Sequence, residues 1–165
     1  MKKDKKRRQQ LQQRTVNNAL MFNTMFGARQ KFGEVPADVE QRIAEEVLVF
    51  QNLGVAEQLL TLKDIIDHIK LELGFQAEPT KGILAASYAA YCLGLEPSNP
   101  MDTSNELNPL DFTLPFNLTI SYDNEIRNQA VDWMKSHGYE VTTYLGQPLS
   151  KLNQVRVLIR RVVKG

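Results

Sequence analysis

Two periodicities divide the chain. In its first half, Val39, Ile43, Val47 and Phe50 recur at steps of four, four and three, one apolar stripe of an amphipathic helix. Pro36 stands before that stripe and Gly54 after it, the usual order for a helix start and stop. Leu62, Ile65, Ile66, Ile69 and Leu73 line a second helix that Gly74 is placed to cap. Residues 11–31 predict another helix, with Leu11, Val16, Leu20 and the Phe22–Phe26 stretch as a rough apolar face, and Gly27 either tolerated or ending it. Residues 33–36 are a break. Residues 55–62 are open between strand and helix. Residues 83–93 predict a helix of small side chains (Ala85, Ala86, Ser87, Ala89, Ala90) that another backbone can approach closely.

The pattern then changes from a step of 3.6 to a step of two. Phe116, Leu118, Ile120 and Tyr122 alternate with Asn117, Thr119 and Ser121 within residues 114–122, the clearest strand in the chain. Asp123 or Asn124 is expected to N-cap a helix running through Ile126, Ala130, Trp133 and Met134 to Gly138. Residues 139–145 alternate again, and Gly146, Gln147 and Pro148 are expected to turn the chain. Residues 150–163 are read as a helix, with a strand through Val155, Val157 and Ile159 as the other reading. Residues 96–111, with Pro97, Pro100 and Pro109, predict an irregular connection. The sum is α+β, with a helix-rich N-terminal half.

Composition changes this picture little. The chain has 165 residues, 42% of them hydrophobic and 24% charged, which suits one domain with a core. No apolar run approaches the roughly 20 residues of a membrane span, and no export signal is read, so a cytoplasmic protein is expected. Charge is more informative. Residues 1–14 hold seven Lys or Arg against one Asp, a net +6, while the whole chain is +1, so the remainder carries −5. Residues 1–14 are therefore set apart as a basic flexible arm, and 15–165 as one domain. Cys92 lies among Ala and Leu and is expected to be a buried apolar residue. His68 and His137 have no ligand-like companions, so no metal site is read.

From about Val39 onward, about three quarters of the sequence, the chain resembles the catalytic core of the C-family bacterial replicative polymerase, the DNA polymerase III alpha subunit. The resemblance rests on several segments in order. Residues 41–46 running to Asn52-Leu53-Gly54 are similar to an Arg-containing helix that ends in a Gly turn. Residues 81–95 are similar to the family's Gly-Arg-Gly-Ser segment and following helix. Asn99-Pro100, Leu107-Asn108-Pro109, the strand at 114–122, Ile126-Arg127, Thr143-Tyr144-Leu145-Gly146 and Lys151 continue it. The fold this implies is a nucleotidyltransferase-like (polymerase beta-like) palm, a small mixed sheet packed with several helices.

In that family two Asp residues on one strand face, with a third further along, hold two Mg²⁺ ions for phosphoryl transfer. Here Asn117 and Thr119 occupy the first two positions, and a shift by one residue substitutes Phe116 and Leu118. Neither register supplies a carboxylate. The Gly-Ser turn has become Gly82-Ile83, and Lys81 stands where the family has Arg, which removes the bidentate fork. The family's third Asp is expected to fall beyond Gly165. Asp123 and Glu125 are the displaced carboxylates that could rescue metal binding, against their simpler role as acids at a helix start. The resemblance leaves Lys81, Gly82, Ser87 and Lys151 as nucleotide or phosphate contacts, with Arg156, Arg160, Arg161 and the basic arm of residues 1–14 as further phosphate candidates.

The function expected is thus a palm-like module of DNA replication that has lost catalysis, a pseudoenzyme binding DNA or a replication partner. No cofactor is expected, and Mg²⁺ only if activity survives. A protein-interaction or self-association module without nucleic acid is the second reading, and an active metal-dependent nucleotidyltransferase the third. No membrane partner is expected.

Overall fold

A computed structural model describes residues 2–79, 86–97, 99–100 and 116–162, with the side chain of Phe116 left aside. The expectations for Lys81, Gly82, Ile83, Leu107, Asn108, Pro109, Leu114, Pro115 and Val163 lie outside the described residues.

Four helices precede the sheet. α1 (Lys2–Phe32) is followed by α2 (Ala37–Leu53), α3 (Ala56–Leu73) and α4 (Tyr88–Leu93). α1 packs against the other three. It starts at Lys2, well before Leu11, so residues 2–14 are its exposed first turns. Gly27 does not end it. A Cβ there would stand 1.9 Å from the carbonyl oxygen of Cys92, so Gly27 is where α1 meets the small-residue helix α4. Ile43, Val47 and Phe50 of α2 and Leu62, Ile65, Ile66 and Ile69 of α3 are all buried, as their spacing predicts, whereas Leu73 at the end of α3 is exposed. The ambiguous residues 56–62 are helical, because Leu59 and Leu62 continue the apolar stripe of α3 into the core.

The second half is β1 (Phe116–Asp123), α5 (Arg127–Ser136), β2 (Val141–Tyr144), β3 (Gln147–Leu152) and β4 (Val155–Val162). The four strands form one mixed sheet in the order β1-β4-β3-β2. β1 and β4 are parallel, and the other pairs antiparallel. The helix expected over 150–163 is therefore absent. Val155, Val157 and Ile159 are each fully buried and face the core from β4, so the period of two prevails. The turn between β2 and β3 is Leu145-Gly146, both at positive φ (49° and 78°), and Pro148 lies within β3 rather than in the turn. Leu118, Ile120, Tyr122, Val155, Val157 and Ile159 share a core with Ala130, Val131, Trp133 and Met134 of α5. Helix α5 thus covers one face of the sheet, and α3 packs against α5 to join the two halves. The observed class is α+β, with a small mixed sheet and a helix-rich N-terminal half. Among the described residues no helix is long and apolar enough to cross a membrane.

Candidate nucleic-acid interface

The face of the sheet turned away from α5 carries the polar residues of β1. Parallel pairing sets Asn117 beside Arg156, Thr119 beside Leu158 and Ser121 beside Arg160. Antiparallel pairing then sets Lys151 beside Arg156 and Leu149 beside Leu158. Partners at the same register project to the same face, so the rows run across the strands. One row is Asn117, Arg156, Lys151. The next is Thr119, Leu158, Leu149. Ser121 and Arg160 follow. Asn117, Lys151 and Arg160 are exposed and Arg156 is half-buried. The Nε of Arg156 is buried with no hydrogen-bond partner among the described residues, which leaves a donor of a fixed cation unspent.

The basic residues expected to act together divide between the two faces. Arg161 pairs with Tyr122 and so lies on the α5 side. There it approaches Arg127, which is buried with its Nη1 donating to the Ile159 carbonyl at 2.9 Å and to Gln147 Oε1 at 3.2 Å. Burial lowers the pKa of Arg127, and the charge of Arg161 adds to that. Arg127 ties the start of α5 to β3 and β4; it is structural.

Neither Asp123, the last residue of β1, nor Asn124 caps α5. Ile126 is the N-cap, without a side-chain bond. Asp123 Oδ1 instead accepts from Glu125 N–H at 3.3 Å inside the turn, and Glu125 is exposed. Capping fails because the helix starts two residues later than a cap at Asn124 would set it, and Asp123 completes β1 opposite Val162. Asp123 does share the polar face with Asn117 and Thr119. Among the described residues no group of three or more His, Cys, Asp or Glu side chains is placed to hold a metal. The donors at Asn117 and Thr119 are neutral oxygens with a guanidinium one strand away. Such a set does not suit two divalent cations, which need carboxylates to balance their charge.

Ser87 is fully buried and its hydroxyl is committed. It donates to Glu46 Oε1 at 2.9 Å and accepts from Ala90 N–H at 3.0 Å as the N-cap of α4. This leaves it unable to reach a phosphate. Glu46, itself buried, also accepts from Ala89 N–H at 2.9 Å and from Arg42 Nε at 2.9 Å, while Arg42 Nη2 donates to the Ala86 carbonyl at 3.1 Å. This clamp is not among the features expected from the sequence. Its signals were present: an Arg-to-Glu spacing of four and a Ser three residues before a helical N–H. The clamp fixes the chain where it emerges from the Lys81-Gly82 segment.

Cys92 is buried, and burial pushes its thiol up to about 12. It is not poised as a nucleophile. His137 C-caps α5 and stacks on Trp133 at 4.0 Å, with His68 further off on the same indole at 6.3 Å; the Trp133 Nε1–H donates to Glu72. These side chains fasten α3 to α5. Compared with known proteins, the chain matches no family model and no curated protein.

Proposed function

We propose that this chain is a degenerate relative of the DNA polymerase III alpha palm, with a nucleotidyltransferase-like fold, that binds DNA and does not transfer nucleotides. The observation that carries the reading is the row Asn117, Arg156, Lys151. It places an amide beside two cations on the strand face where the resemblance expects carboxylates. A face with that charge repels divalent cations and attracts phosphate. The mixed sheet with α5 following β1, and a clamped segment after Gly82, support the palm reading. Titrating primed DNA by fluorescence anisotropy at two salt concentrations tests binding, and a Mg²⁺-dependent incorporation assay tests the loss of transfer. Salt-sensitive binding without incorporation is the expected pair of results.

A further inference from the structure

The first turns of α1 are the most strongly charged part of the molecule. Residues 2–15 are all exposed, and burial begins only at Val16 and Asn17. Over Lys2–Arg14, roughly 20 Å of helix at 1.5 Å per residue, the chain carries seven cations and one Asp. Lys2, Lys3, Lys5, Lys6, Arg7 and Arg14 cover about 200° of the helix circumference, and Asp4, Arg8 and Leu11 share the opposite strip. The centre of that basic sector follows the same line as Leu20, Thr24 and Ala28, the residues α1 buries. The charge therefore looks across the end of the body, not away from it.

That end of the body can be identified. Gln51 Nε2 donates to the Asn17 carbonyl at 3.0 Å, so α1 leaves the bundle beside the end of α2. The α2–α3 junction in turn meets the β3–β4 turn: Leu53, Gly54, Val55 and Gln58 line a cleft of about 170 Å³ with Asn153 and Gln154. Lys151 and Arg156 flank that turn in the chain. The basic helix and the basic row of the sheet thus lie toward the same end.

We propose that the first turns of α1 grip a nucleic-acid duplex by its phosphates, with the Lys151 and Arg156 end of the sheet as a second contact. Residues 2–14 contain no aromatic side chain on which an unpaired base could stack, which favours a duplex over a single strand. Their one large apolar residue, Leu11, is too little to enter a bilayer as an amphipathic helix does. Binding of this kind reads charge and not sequence. The sheet contact rests on the function proposed above; the helix contact rests on its own charge pattern.

The test is anisotropy of a labelled duplex of about 20 base pairs at about 50 mM and about 200 mM salt. Three proteins are compared: the intact chain, a variant with Lys2, Lys3, Lys5, Lys6, Arg7 and Arg8 all changed to Gln, and a Lys151→Gln, Arg156→Gln variant. Circular dichroism checks that helix content is kept; seven of the eight side chains are exposed and Arg156 is half-buried. Loss of the five sector cations among these should make the salt slope shallower by about 3 to 5 and weaken binding at the lower salt by at least about 30-fold. An arm variant that binds like the intact chain overturns the inference. A weakened arm variant beside an unchanged sheet variant upholds the helix contact and sinks the sheet contact. Arm-dependent binding to anionic lipid vesicles without duplex binding would also overturn it.

Discussion

Asn117 of β1 lies directly beside Arg156 of β4 in the parallel register. The amide offers a neutral oxygen next to a guanidinium whose Nε has no partner among the described residues. The charge of that guanidinium attracts phosphate and repels a divalent cation. Introducing acids with Asn117→Asp and Thr119→Asp should pair Arg156 internally and place negative charge on the face. Duplex affinity is expected to fall about tenfold at low salt, equivalent to about 1.4 kcal/mol, measured by anisotropy. Unchanged or tighter binding would mean that this face does not meet the backbone of DNA.

Gly27 tests the helical half. Its Cβ position overlaps the Cys92 carbonyl oxygen at 1.9 Å, and backbone atoms on both sides cannot swing away as a side chain could. Gly27→Ala forces α1 and α4 apart, at a cost of about 3 kcal/mol by analogy with overpacked cores. Elsewhere in a helix the same change would stabilise by about 1 kcal/mol, so the sign itself is diagnostic. Urea denaturation measures it.

Glu46 holds three donors: Arg42 Nε, Ser87 Oγ and Ala89 N–H. Glu46→Ala leaves buried donors unsatisfied and is expected to cost about 3 kcal/mol, while Glu46→Gln, which can still accept but loses the charge, should cost less. Chemical denaturation of both variants orders them. A Glu46→Gln variant as stable as the intact chain would remove the ion pair from the account.

Cys92 sets an alkaline limit. The folded thiol keeps its proton until about pH 12, while the unfolded thiol loses it near its ordinary value of about 8.5. Between these values the folded state binds more protons, so stability falls as pH rises; below them this group contributes no slope. From about pH 8 to about pH 10 the intact chain should lose more thermal stability than Cys92→Ala. The thiol should also resist iodoacetamide until the chain unfolds. Rapid labelling of the native protein would contradict its burial.

The helical half was largely legible because its signals are local. Ile43, Val47 and Phe50, or Ile65, Ile66 and Ile69, report their burial through spacing alone, and Gly54 and Gly74 mark their ends at φ of 73° and 74°. Residues 150–163 read as a helix because the punctuation of their strands is weak. The β3–β4 turn is Asn153-Gln154, with Asn153 at φ 57° and no Gly or Pro to mark it, while Lys151, Leu152 and Arg156 are all good helix formers. The strand face of β1 was readable from its alternation. What joins it was not: the parallel register that sets Asn117 beside Arg156 spans 39 positions of sequence and leaves no periodic trace. The same nonlocality hid Ser87, whose partner Glu46 sits 41 residues earlier.

The most direct test of the central claim is one titration of the intact chain with fluorescent primed duplex, at about 50 mM and about 200 mM salt, with Mg²⁺ and nucleotides present so that primer extension is read from the same samples. The account predicts binding that weakens steeply with salt and a primer that stays at its original length. Absence of salt-dependent binding at tens of micromolar protein, or extension of the primer, would contradict it.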